Sequence, residues 1–179
     1  MKSTRPRKGE QLSKRAFFII GPESSGTRMM AQAFVACGAY GDGGHKQRLD
    51  SEGFGGKHEL IVLRRSVPHG MVMPQISKLI QRMRKNNYQV VPIVILRDKD
   101  KCAASQVKNR HAANVSDAKQ SIKEAIDHIY QQLAGFQNHV HVIHYEPFVK
   151  NKKIRSGFFR RLGFDHPDME FYNANVKYK

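Results

Sequence analysis

At 179 residues and 40% apolar content, the chain suits one domain with its own core and is short for two. A formal net charge of +16, from 31 Lys and Arg against 15 Asp and Glu, calls for an anionic partner: nucleic acid, a membrane surface, or a phosphorylated or sulfated small molecule. The longest apolar run, around VVPIVIL, falls far short of a membrane span, and the basic start MKSTRPRKGEQLSKR leads into no signal-peptide-like apolar region, so a cytoplasmic protein is expected.

Residues 1–14 read as a flexible basic tail ahead of a single domain over 15–179. RAFFIIG (15–21) is a continuous apolar run of the kind that forms a strand buried on both faces. Met30, Ala33, Phe34 and Cys37 then recur at helical spacing, and Gly38 is a helix stop. The stretch 41–58, GDGGHKQRLDSEGFGGKH, has no period and is predicted to be a long loop. ELIVLRR (59–65) is a second strand. Ile76, Leu79, Ile80 and Met83 mark a helix from about Pro74 to Asn87. QVVPIVILRD (89–98) is a third strand, although Pro92 is an awkward residue within it.

A helix follows over 99–109, then a loop over 110–116. Asp117 with Gln120 resembles a capping box that opens a helix with the apolar stripe Ile122, Ile126, Ile129 and Leu133. HVHVIHYE (139–146) alternates as a fourth strand, and Ile154, Phe158, Phe159 and Leu162 mark a last helix stopped at Gly163. Cys37 and Cys102 lack metal-ligand spacing and read as reduced thiols in helices. The β-α-β-α order predicts an α/β fold: a mainly parallel sheet of four to five strands flanked by helices, a three-layer sandwich of the P-loop nucleotide-binding type. Ligands in such sheets bind at the carboxyl ends of the strands.

The segment GPESSGTR (21–28) sits between the first strand and the first helix, which is the context of a phosphate-binding loop. Its glycines free backbone N–H groups for an oxyanion, and the helix N-terminus adds its unpaired N–H groups and dipole. Ser24, Ser25 and Thr27 bring hydroxyls and Arg28 a permanent charge. The lysine of an ATP-binding loop is replaced by Thr27.

Three stretches resemble the sulfotransferases that use 3′-phosphoadenosine-5′-phosphosulfate (PAPS). GPESSGTR is similar to the family's 5′-phosphosulfate loop. ILRDKDKCAASQVKN (95–109) resembles its 3′-phosphate motif, with Arg97 at a strand end and Ser105 eight residues on. VIHYEPFVKNKKIRSGFFRRLGFD (142–165) looks like the family's YE-x-L/F-V strand end with a helix closing on LG. The resemblance covers about a third of the chain and implies that PAPS is bound by Ser24, Ser25, Gly26, Thr27, Arg28, Arg97 and Ser105, with no metal.

The family has Lys or Arg before SGT; this chain has Ser24, preceded by Glu23. Substitute cations are Arg28, Lys46 and Arg48, and Lys150–Lys153 with Arg155 are the basic residues nearest to where a second phosphate motif would lie. The resemblance implies sulfuryl transfer to a hydroxyl or amine of a small molecule or glycan, which needs a base for the acceptor's proton. His45 in the long loop and His69 after the second strand are the histidine candidates; Glu52 and Glu59 are the carboxylates. Arg64 and Arg65 end the second strand, one facing the anion site and the other solvated. Loops 41–58 and 110–116 are the material available for an acceptor pocket, left open or completed by another subunit. Two other readings stand beside this one. A P-loop kinase or hydrolase would hold magnesium through Asp98 or Asp42. A non-catalytic module would bind nucleic acid or another polyanion through its charge.

Overall fold

The computed structural model describes residues 14–42, 58–70 and 72–178. Five strands form one wholly parallel sheet in the order β2-β3-β1-β4-β5. They are β1 (Arg15–Pro22), β2 (Tyr40–Gly41), β3 (Leu60–Val67), β4 (Gln89–Leu96) and β5 (His141–His144). The helices are α1 (Thr27–Ala36), α2 (Ile76–Lys85), α3 (Lys99–Lys108), α4 (Val115–Leu133), α5 (Tyr145–Lys150) and α6 (Lys152–Arg161). The predicted 1–14 tail, with the exception of Lys14, and most of the predicted 41–58 loop lie outside the described residues.

Successive side chains of a strand point to opposite faces, and in β1 both faces are apolar. Ala16, Phe18 and Ile20 join Ile61, Leu63, Val90 and Val94 in a core closed by Ile76, Ile80 and Met83 of α2 and by Ala125, Ile129 and Leu133 of α4. Phe17 and Ile19 face the other way, with Val62, Ile93 and Ile95, against α1, α5 and α6. The sheet is therefore the middle of three layers, as the β-α-β-α order predicted. Helix α3 packs on α4 through Cys102, Ala103, Ala118 and Ile122. No helix among the described residues is long and apolar enough to cross a membrane.

Several boundaries differ from the sequence reading for physical reasons. Helix α4 starts at Val115, two residues before Asp117: the cap is Asn114, whose side chain accepts from the Asp117 N–H at 2.9 Å and donates to the Asp117 carboxylate at 2.8 Å. The fourth strand is only 141–144, and Tyr145 begins helix α5, in which Pro147 occupies the first turn, where a missing N–H removes no intrahelical bond. The third strand stops at Leu96 because Asp98 caps α3 by accepting from the Lys101 N–H at 2.9 Å. Pro92 is tolerated inside β4 because β5 pairs only with 93–96, so no ladder bond is lost on that side. The two-residue strand β2 is too short to leave a periodic signal.

The layer beneath α1 is held by aromatic rings. Phe17 and Phe34 stack at 4.2 Å, and Phe34 also meets Phe159 at 5.5 Å and Phe164 at 5.9 Å. All three partners surround a side chain with no exposed surface. Phe34→Ala is expected to cost about 3–5 kcal/mol, the usual range for emptying a filled aromatic site; urea unfolding followed by circular dichroism measures it.

Candidate functional site

Strand β1 has β3 on one side and β4 on the other, so the chain leaves the sheet here at the point where the strand order reverses. Such a point opens a crevice at the carboxyl ends of the strands. The turn from Pro22 to Gly26 fills it. Ser24 holds φ 67, a left-handed conformation for a residue with a side chain, and Gly26 holds φ 104. A Cβ on Gly26 would lie 2.6 Å from the Tyr145 ring, so the position needs glycine for both its backbone angle and its space.

Helix α3 and Arg97, just before it, fix which way this turn faces. The Glu23 carbonyl accepts from Gln106 Nε2 at 2.9 Å and from Cys102 Sγ at 3.2 Å, and the Ser24 carbonyl accepts from Arg97 Nη1 at 2.7 Å. With these carbonyls drawn toward α3, the amides of Ser24, Gly26, Thr27 and Arg28 take no acceptor among the described residues. Helix α1 begins without a side-chain cap and without an acidic residue in its first turn. Its N-terminus is therefore an unneutralised positive pole suited to an anion.

This pole borders a cleft of about 450 Å³ lined by the turn residues Glu23, Ser24, Gly26, Thr27 and Arg28, by Arg64 and Ser66 of β3, and by Ser105, Asn109 and His111. The predicted residues Ser24, Gly26, Thr27, Arg28 and Ser105 thus meet on one wall system. Ser25 does not join them: its hydroxyl is fully buried beneath the turn against Gly21, and its N–H is taken by the Pro22 carbonyl at 3.0 Å. Arg64 faces the cleft while Arg65 is ion-paired with Asp42 at 3.1 Å instead of solvated. Arg97 is turned away from open space. Its Nε donates to Asn175 Oδ1 at 2.7 Å, and its guanidinium lies 5.0 Å from the Tyr145 ring and 5.5 Å from the Tyr178 ring.

The candidate bases separate. His45, with the candidate cations Lys46 and Arg48 and the carboxylate Glu52, lies outside the described residues. His69 is at the exposed rim, and its Nδ1 is 3.4 Å from the hydroxyl of Ser66, which lines the cleft. Glu59 precedes β3, and its backbone carbonyl accepts from the Arg15 N–H at the amino ends of the strands, the opposite edge of the sheet from the cleft. Arg155 donates to the carbonyls of Phe148 and Val149, bracing α5 to α6, and so does not supply a second phosphate contact. Asp98 is engaged as the cap of α3, and Asp42 is buried at 6% exposure, accepting from the Arg64 N–H and Arg65.

Ser66, Asn109 and His111 line the cleft without having been singled out in the sequence, and His111 is the titratable one. It stands in the α3–α4 loop after Arg110 at φ 59, exposed at the edge of the cleft, with Nε2 3.8 Å from a Glu23 carboxylate oxygen. The 110–116 loop was a visible feature of the sequence, but nothing local distinguished this one histidine of nine.

No protein-family model matches the chain, and no curated protein does. Among solved structures, the chain is similar to the sulfotransferase domain from the Synechococcus PCC 7002 olefin synthase. The TM-score is 0.55 at 13% sequence identity, over 90% of this chain and 75% of that one. The fold is sulfotransferase-like. Among the described residues no group of three or more His, Cys, Asp or Glu is arranged to hold a metal ion.

The thiol that helps to pin the loop gives a measurable signature. Burial pushes Cys102 up to about 12, with Arg97 and the Gln106 hydrogen bond pulling weakly the other way. Between about pH 9 and 12 the unfolded chain ionises this thiol and the folded chain does not, so its contribution to stability declines as pH rises through that window. At pH 8.5 Cys102 is expected to resist iodoacetamide in the native protein and to react in urea, as read by mass spectrometry of the alkylated peptide.

Proposed function

We propose that this protein transfers a sulfuryl group from PAPS to a hydroxyl or amine of an acceptor. The observation that carries the reading is the phosphate turn, with its carbonyls held back by α3 and the uncapped start of α1 facing the cleft, within a sulfotransferase-like fold. Free amides, an aligned helix dipole and the Arg28 charge fit a sulfated phosphate.

In this scheme the amides of Ser24, Gly26, Thr27 and Arg28 and the Thr27 hydroxyl hold the 5′-phosphosulfate. Arg97 and Ser105 hold the 3′-phosphate. The acceptor oxygen or nitrogen forms its bond to sulfur as the bond from sulfur to the 5′-phosphate oxygen breaks, and the electron pair leaves with adenosine 3′,5′-bisphosphate. Arg28, or Lys46 from the long loop, compensates charge on that leaving oxygen in place of the basic residue replaced by Ser24. His69, joined to the cleft wall through Ser66, or His45, takes the acceptor's proton. A magnesium-dependent kinase is disfavoured because Asp98 and Asp42 are committed to backbone and arginine partners.

Calorimetric titration with adenosine 3′,5′-bisphosphate, run beside ATP plus magnesium, is the test. Micromolar, metal-independent binding of the bisphosphate is expected, weakened at least tenfold, or about 1.4 kcal/mol, in Arg97→Ala. Gln106→Ala serves as a comparison, since it loosens the turn without removing a cation, and a smaller loss is expected. Preference for ATP with magnesium sinks the reading.

A second test addresses the base. His69→Ala is expected to lower kcat by about 10²–10⁴-fold, the usual worth of a positioned general base, while leaving bisphosphate affinity within twofold. Unchanged turnover of labelled sulfate from PAPS moves that role to His45.

A further inference from the structure

Arg97, Lys101, Ser105 and Lys108 are spaced four, four and three residues apart, so from the end of β4 through α3 they form one stripe. All four converge on a single residue from the far end of the described chain. The Tyr178 hydroxyl donates to Ser105 Oγ at 3.0 Å, its carbonyl accepts from Lys101 Nζ, and its ring lies 5.5 Å from the Arg97 guanidinium and 5.6 Å from Lys108 Nζ. Arg97 Nη2 is buried with no hydrogen-bond partner among the described residues.

This is an arrangement made for an anion and filled by a neutral group. A tyrosine ring and one carbonyl offer three cations partial charges only. The nearby carboxylates are used elsewhere: Asp98 caps α3, and Glu146 accepts from the Asp98 N–H and from Asn175 Nδ2. The segment that brings Tyr178 here is held by exchangeable polar contacts. Tyr145 Oη donates to the Tyr172 carbonyl at 3.0 Å and accepts from the Ala174 N–H at 2.9 Å, and Asn175 bonds Arg97 and Glu146. None of Ala174–Lys177 is buried.

We infer that segment 172–178 is an internal occupant of the subsite in which Arg97 and Ser105 take a phosphate, a subsite that Lys101 and Lys108 extend, and that it is displaced when the ligand arrives. A phosphate dianion would supply the net negative charge that the tyrosine lacks and acceptors for the Arg97 and Lys101 donors. The sulfotransfer reading enters only through the identity of the natural ligand, adenosine 3′,5′-bisphosphate; the site itself selects the phosphate group.

The experiment titrates adenosine 3′,5′-bisphosphate and, separately, inorganic phosphate into wild type, Tyr178→Ala and Tyr178→Phe, and follows amide hydrogen exchange over 172–178 in wild type with each anion. Tyr178→Ala is expected to bind both anions at least fivefold more tightly, and Tyr178→Phe, which loses only the bond to Ser105, to show part of that gain. Adding Lys101→Ala and Lys108→Ala should abolish the gain. The segment's amides should exchange faster when ligand is bound. Should Tyr178→Ala fold poorly, Tyr178→Phe and the wild-type exchange data decide. Gains for inorganic phosphate without any bisphosphate binding would sustain the occupied site and remove the PAPS reading. Unchanged or weaker binding in the tyrosine variants, added protection of 172–178, or no binding of either anion by any variant overturns the inference.

Discussion

The site depends on two carbonyl groups being held away from it. Helix α3 takes the Glu23 oxygen through Gln106 and Cys102, and Arg97, in the short connection from β4 to α3, takes the Ser24 oxygen. A turn with free amides on one side needs its acceptors satisfied on the other, because a buried carbonyl without a donor is costly. The same bonds over-determine the left-handed Ser24, which costs of order 1–3 kcal/mol and persists only where the surroundings compel it. Arg97 is therefore a structural brace first. Any role toward a ligand is added to a side chain that already shapes the turn.

The architecture delivers these partners to one place. Because β1 lies between β3 and β4, the turn after β1 has the β3 end on one flank and α3 on the other. The β3 flank is anchored separately. Asp42, just beyond β2, is buried and accepts both from the Arg64 N–H and from the Arg65 guanidinium. That leaves the Arg64 side chain on the cleft wall while Arg65 neutralises the carboxylate. Removing one partner of such a pair leaves a charge with poor solvation, so the two arginines are unequal despite their adjacency.

What could be read from the sequence was local, and what could not was distant. The β1 run, the Gly/Ser turn and the start of α1 are neighbours in the chain, so their pattern announces a phosphate loop directly. Arg97 and Ser105 fall on a strand end and the next helix, and their spacing is also visible. Ser25 looked like a donor by composition; only the close approach to Gly21 shows its hydroxyl to be beneath the turn. The partners of Arg97 are 73 and 78 residues away, and Tyr178 is 73 residues from Ser105, separations at which no period survives. The Asn114 cap was hidden for a different reason: the loop and helix patterns overlap, and Asp117 occupies the third helical position of the same box.

Tyr145 ties the two ends of this region together. Its ring fills the space over Gly26, its face meets Arg97, and its hydroxyl both donates to and accepts from the backbone of 172–174. One rigid side chain thus touches the phosphate turn and the segment that covers α3. The consequence is thermodynamic coupling. Whatever orders or loosens the turn at Gly26 changes the free energy of seating residues 172–174, and by reciprocity the state of that segment sets part of the affinity at the turn.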